Sequence, residues 1–172
     1  IAAGHGRYVL DALENEPAVC DILLRDYSEL NVAQGQEMIA QRGMSGQVRF
    51  EQGDAFNPEE LSALTPRPTL AIVSGLYELF PENEHVKNAL AGLANAIEPG
   101  GILIYTGQPW HPQLELIAGV LTSHKDGKPW VMRVRSQGEM DSLVRDAGFD
   151  KCTQRIDEWG IFTVSMAVRR DN

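Results

Sequence analysis

Three short stretches hold residue types that can do chemistry at a telling distance from one another. Gly4-His5-Gly6 forms a turn ahead of a helical pattern, Asp26 follows Gly6 by 20 positions, and Gly53-Asp54-Ala55-Phe56 gives a second glycine and acid together. A Gly-x-Gly turn at a helix start lets a ligand approach the backbone and aims unpaired N–H groups at it. An acidic side chain about 20 residues later can grip a ribose diol. In combination these features point to a ribose-containing ligand. A dinucleotide fold wants a third glycine, where its first helix presses on the strand beside the pyrophosphate, and that position is Val9. A nicotinamide cofactor is therefore disfavoured.

The elements that must position these residues follow from periodicity. Helical stripes run over Arg7 to Asn15, from the N-cap Ser28 to about Gln41, after Asn57-Pro58-Glu59-Glu60, along Val86, Leu90, Leu93, Ala94 and Ile97, from Pro112 to about Ser123, and from Ser136 to Gly148. Between them lie segments with strand character: the mostly apolar runs Val19 to Arg25, Thr69 to Ser74 and Ile102 to Tyr105, and Gln47 to Gln52, where Val48 and Phe50 alternate with polar neighbours. Two closing strands, Cys152 to Glu158 and Ile161 to Val168, meet at Trp159-Gly160 as a hairpin. This alternation predicts an α/β fold: a Rossmann-like, doubly wound, mostly parallel sheet with helices on both faces and a C-terminal antiparallel hairpin. Ile1-Ala2-Ala3 reads as the end of a first strand, largely missing from the sequence, so residues 1–172 are expected to form a single, N-terminally incomplete domain. In such a sheet the ligand crevice lies beyond the carboxyl ends of the strands. The glycine turn, Asp26, Gly53 to Phe56, and Ser74-Gly75-Leu76-Tyr77-Glu78 all fall there.

At this point the residues resemble a known family. Ile1-Ala2-Ala3-Gly4-His5-Gly6-Arg7-Tyr8, Asp26-Tyr27-Ser28, Gly53-Asp54-Ala55 and Pro99-Gly100-Gly101 look like the class I S-adenosylmethionine-dependent methyltransferases over essentially the whole chain. Gln108-Pro109-Trp110-His111-Pro112 and Pro129-Trp130-Val131-Met132-Arg133 are similar to a bacterial methyltransferase group, some of whose members are fused to an α/β-hydrolase domain. The resemblance implies S-adenosyl-L-methionine as cofactor. It puts the methionine moiety on the turn at Ala2, Ala3, Gly4 and Gly6, the ribose on Asp26 and the adenine against Tyr27. Asp54, with the backbone of Ala55 and Phe56, would read the adenine edge, and Ser74 and Gly75 would line the pocket near the sulfonium. Two departures stand out: the family's acidic residue two before Ala2 falls ahead of the sequence, and its first glycine is Ala2 here.

Methyl transfer is an in-line displacement whose main requirement is alignment, so a catalytic residue is optional. A hydroxyl or protonated amine acceptor would profit from a base, and Tyr77, Glu78 and His111 are the candidates. Tyr77 and Glu78 read equally well as helix-start residues on a solvated loop, and His111 as a residue at a helix N-terminus. Arg133 and Arg135, two apart, would point the same way on an extended segment and fork onto a substrate carboxylate or phosphate, or else protect a sheet edge. Trp110 and Trp130 read as an aromatic wall over the acceptor or as packing. His5, His85 and His124 lack ligand spacing, so no metal site is expected, and Met38, Met140 and Met166 read as core filler.

Composition narrows the partners. Fifteen Lys and Arg against 24 Asp and Glu leave a net charge of −9 without a basic stripe, which argues against nucleic acid and for a small-molecule acceptor. No apolar run reaches the roughly 20 residues of a membrane span. Cys20 and Cys152 have no partner spacing, as expected of a reduced, cytoplasmic setting. The leading expectation is thus a methyltransferase for a small molecule, with a fused or adjoining hydrolase domain as partner. A nucleoside-cofactor-binding module that regulates such a domain without turnover, and an NAD-dependent oxidoreductase weakened by Val9, are the alternatives.

Overall fold

A computed structural model describes residues 1–15, 20–122 and 127–171. The elements run α1 (Arg7–Asn15), β1 (Ile22–Asp26), α2 (Glu29–Gln41), β2 (Val48–Gln52), α3 (Pro58–Ser62), β3 (Leu70–Val73), a 3-10 turn at Tyr77–Leu79, α4 (Asn83–Ala96), β4 (Ile102–Gly107), α5 (Leu114–Val120), α6 (Gln137–Asp146), β5 (Phe149–Ile156) and β6 (Thr163–Arg169). The helix starts follow from local chemistry. Ser28 Oγ accepts the Asn31 N–H at 3.3 Å. Asn57 Oδ1 accepts those of Glu59 and Glu60, both at 3.1 Å, with Pro58 in the first turn, where no donor is needed.

The strands form two hydrogen-bonded groups. β1 pairs with β2 in parallel, and β3, β4, β6 and β5 form a four-stranded sheet in that order. Within it β3–β4 is parallel, while β6 runs antiparallel to both β4 and β5. Residues Ile1 to Ala3 link the groups without strand structure of their own: Ala3 N donates to the Arg25 carbonyl at 3.0 Å, and Ile1 N to the Ile72 carbonyl at 2.9 Å. Each group has its own core. Leu10, Leu24, Val32, Ile39, Val48 and Phe50 pack α1 and α2 onto the first pair. Val73, Val86, Leu90, Leu93, Leu103 and Phe149 anchor the larger one. Gly35 lets α2 lie close, since a Cβ there would come within 2.2 Å of the Phe50 ring and 3.3 Å of the His5 carbonyl.

Three expectations need adjustment. The fifth expected helix starts at Leu114, not Pro112, because His111 Nδ1 accepts the Gln113 N–H at 3.1 Å and closes a turn first. The hairpin loop is wider than Trp159-Gly160 because Asp157 Oδ1 gathers the N–H groups of Ile161 and Phe162 at 2.8 and 3.2 Å, ending the pairing at Ile156–Thr163. Residues 130–135 are irregular, with a lone bridge, Thr122–Pro129, just ahead of them, because their polar groups bind the loop at 77–83 and not a neighbouring strand. Val19, Ser123 and His124 lie outside the described residues. Among the described residues no helix is long and apolar enough to cross a membrane, and no group of three or more His, Cys, Asp or Glu is arranged to hold a metal ion.

Candidate functional site

Asp26, the last residue of β1, is buried, and its carboxylate organises the rim around it. Oδ2 accepts Gly4 N at 2.8 Å, and Oδ1 accepts Ser28 N at 3.0 Å and Asn31 Nδ2 at 2.9 Å. One acid thus ties the glycine turn to the start of α2. The turn needs its glycines: Gly4 and Gly6 have φ of +58° and +74°, and Ala2 joins them at +51° although it carries a side chain. A Cβ on Gly6 would strike Leu24 at 2.4 Å, whereas nothing lies within 4 Å of one on Gly4. The turn is therefore packed beneath and open above.

The Asp26 carbonyl accepts Gly53 N at 3.0 Å, which puts Asp54 next along the same rim. Asp54 Oδ1 accepts Phe56 N at 2.8 Å, and among the described residues nothing donates to its other oxygen. Behind the turn the buried Arg25 guanidinium lies over Gly53, where a Cβ would sit 2.1 Å from Nη2. Arg25 pairs with Glu60 Oε2 at 3.1 Å, and Glu60 also accepts Asp54 N at 3.3 Å and Asn57 Nδ2 at 3.0 Å. Tyr27 stands out from this rim, 74% exposed. Phe56 stacks edge-on to Phe80 with centroids 4.4 Å apart.

Beyond β3 and β4 the rim continues as a small cleft lined by Tyr77, Glu78, Thr106, Gln108 and the two arginines 133 and 135. Gly75 N donates to Thr106 Oγ1 at 2.8 Å, and a Cβ on Gly75 would lie 3.9 Å from Glu78 Oε1, so the carboxylate reaches back toward Ser74-Gly75. Burial pushes the Glu78 carboxyl above its ordinary range against the opposing pull of its own backbone N–H and of Arg135. Burial, and then the neighbouring Tyr105, raises the Tyr77 hydroxyl so far that it stays protonated, and Tyr105 itself is pushed up to about 12. Burial thus works against charge on all three of these groups.

The arginines overturn both readings of the sequence. Arg135 is 4% exposed, and its guanidinium donates to Asn83 Oδ1 at 2.8 Å and to the carbonyls of Tyr77 and Phe80 at 2.6 and 2.7 Å. Arg133 donates to the Pro81 carbonyl at 2.5 Å and to Glu139 Oε1 at 2.6 Å, while its backbone N–H donates to the Glu78 carbonyl at 2.9 Å. They neither await a substrate anion nor edge a sheet: they hold the loop that carries Tyr77 and Glu78. His111 caps its own turn and is not among the cleft residues; nor are Trp110, 52% exposed, and Trp130. Asn31, Glu60, Arg25, Gln108 and the structural part of Arg135 were missed. The spacing Asp26-x-Ser28-x-x-Asn31 could have revealed the first of these; nothing local marks Arg135.

Residues 1–169 match a protein family described as "Putative methyltransferase", and the chain belongs to that family. Over all 172 residues it is 96% identical to "Uncharacterized protein YnbC" of Escherichia coli strain K12, of which it spans 29%. Its fold is similar to that of an O-methyltransferase family protein from Burkholderia thailandensis, with a TM-score of 0.75 and 16% identity over 99% of this chain and 50% of that one. It is equally similar, at a TM-score of 0.75 and 14% identity, to an S-adenosylmethionine-dependent methyltransferase from Methanosarcina mazei, over 99% of this chain and 91% of that one.

Proposed function

We propose that the chain is an S-adenosylmethionine-dependent methyltransferase domain acting on a small-molecule acceptor. The observation that carries this reading is the continuous rim from Gly4 through Asp26 to Gly53 and Asp54, joined by hydrogen bonds of Gly4 N to the Asp26 carboxylate at 2.8 Å and of Gly53 N to the Asp26 carbonyl at 3.0 Å. The residues fit the cofactor. Open space above Gly4 leaves room for a ligand against the turn at Ala2, Ala3, Gly4 and Gly6. Asp26 has accepted three of the roughly four hydrogen bonds a carboxylate can take, which leaves capacity for a ribose hydroxyl. Tyr27 offers an exposed ring to the adenine, and Asp54 a free oxygen to its amino edge, flanked by the backbone of Ala55 and Phe56. Ser74 and Gly75 border the rim where it meets the cleft. When bound, S-adenosylmethionine supplies a methyl group on a positively charged sulfur. The chain's own part is to bind, align and exclude water, and alignment alone supplies several kcal/mol. The acidic surface suits a neutral or cationic acceptor. An adjoining hydrolase domain belongs to this proposal on the family resemblance alone.

Calorimetry with S-adenosylhomocysteine on the whole protein tests the reading. Saturable binding is expected, weakened about tenfold by Asp54→Asn with the melting temperature little changed, since one charge-assisted hydrogen bond is lost. No binding, with binding of a nicotinamide nucleotide instead, overturns it. Binding without labelled methyl transfer to any component of a metabolite extract would favour a regulatory module.

A further inference from the structure

The cleft beyond β3 and β4 holds a cluster of buried polar atoms that the fold leaves without partners. Tyr77, Glu78 and Gln108 are 2%, 7% and 6% exposed, yet Tyr77 OH, Glu78 Oε2 and Gln108 Oε1 have no hydrogen-bond partner among the described residues. An unsatisfied buried polar atom costs about 1–3 kcal/mol, so two acceptor oxygens left bare in one cleft mark a place where something else donates. The nearby cations do not fill that part. Arg135 donates to the Tyr77, Phe80 and Pro81 carbonyls and Asn83 Oδ1, and Arg133 to the Pro81 carbonyl and Glu139.

The missing donor can be described from the geometry. Free space in the cleft is about 10 Å³, close to that of one water-sized group, so only the head of a ligand enters. The unpaired atoms that face it are a carboxylate oxygen and an amide oxygen, which accept, and the Tyr77 hydroxyl, which can accept as well as donate. A hydroxyl has one hydrogen to donate; a primary amine or ammonium has at least two and carries the charge that complements Glu78. We propose that this cleft is the acceptor subsite and that it selects an amine, gripping the amino group between Glu78 Oε2 and Gln108 Oε1 beside Gly75. Its role as an acceptor subsite rests on the methyltransferase reading; its preference for an amine does not.

Methylamine and methanol, matched in size and different in donor number, are the probes. With the protein carrying carbon-13 in its glutamate carboxyls, methylamine at pH 7.5 should move the Glu78 resonance saturably, with a midpoint in the millimolar range, while methanol leaves it in place. Gln108→Leu should weaken that midpoint about tenfold, the loss of one hydrogen bond, and Glu78→Gln should abolish saturable methylamine binding as followed on the probe's own methyl signal. Equal responses to methanol and methylamine, or no response to either, overturn the proposal, the latter meaning that ordered water alone occupies the cleft. A protein that takes up methylamine but not S-adenosylhomocysteine would keep the amine site and lose the methyltransferase reading; the reverse result would lose only the amine site.

Discussion

The two ends of the rim are built in opposite ways. Around Asp26 the polar contacts are made within a few dozen residues, and several end on a backbone N–H: Gly4, Ser28 and Phe56 each donate to a nearby carboxylate. Around Glu78 the order reverses. That loop is held by Arg135, whose partners Tyr77, Phe80 and Asn83 lie more than 50 residues away and are mostly backbone carbonyls, while its own functional oxygens are left bare. The first end is shaped before any ligand arrives, although Arg25 Nε and Nη1 have no partner among the described residues. The second is shaped from outside and keeps its hydrogen-bonding capacity in reserve.

The most severe way to break this contrast is Arg135→Leu. It strips the Tyr77 and Phe80 carbonyls and Asn83 of their donor in a buried place, at a cost of about 3 kcal/mol or more, a fall of roughly 6–12 °C in Tm by calorimetry. S-adenosylhomocysteine affinity should fall much less than turnover, because the Asp26 end does not depend on this arginine. A comparable loss of both would show that the ends are one unit. Next in size is Gly53→Ala. The added Cβ would sit 2.1 Å from Arg25 Nη2, and the guanidinium cannot yield without giving up Glu60. About 1–2 kcal/mol of stability should be lost in denaturant unfolding, with cofactor-analogue binding weakened through the displaced Asp54 turn.

The smallest expected effect sharpens the comparison through pH. Burial raises the Glu78 carboxyl in the folded protein, so the native state holds this proton more tightly than the unfolded chain does. Glu78 is then least harmful below its unfolded value, near the ordinary carboxylate range, and stability is lost as pH rises from there through its folded value. Glu78→Gln removes that loss. Relative to the parent protein, the variant should gain stability between acid and neutral pH; a difference that is flat across the range would place the carboxylate in water.

The same contrast explains what could be read in advance. The elements carrying Asp26 are spelled out locally: Ser28 caps α2, Asn57 and Pro58 open α3, β3 is a short apolar run, and β2 alternates buried Val48 and Phe50 with exposed neighbours. The resemblance placed Asp26, Gly53 and Asp54 in register for the same reason, each standing at the end of a legible strand. Arg25 and Glu60 escaped because the pair forms only when β1 and α3 are packed, 35 residues apart. Arg133 and Arg135 were misjudged because spacing tells which way side chains alternate on a strand and cannot tell that the strand is absent. Ser136 and Glu139 show the limit well: Ser136 caps α6 as its spacing predicts, yet Glu139 turns outward to Arg133 and Asn83 rather than back to the cap.

Gly35 carries the mechanics of the whole rim. In dinucleotide folds intimate contact between helix and sheet comes from a glycine in the first helix; here Val9 fills that position, and the second helix supplies the contact, seated on Phe50 and on the turn itself. Because the start of that same helix donates Ser28 N and Asn31 Nδ2 to Asp26, helix, carboxylate and turn are keyed together like parts of one bracket. A methyl group introduced at position 35 would act as a wedge, prising the bracket open some 10 Å along the helix from its Ser28 cap, seven residues away.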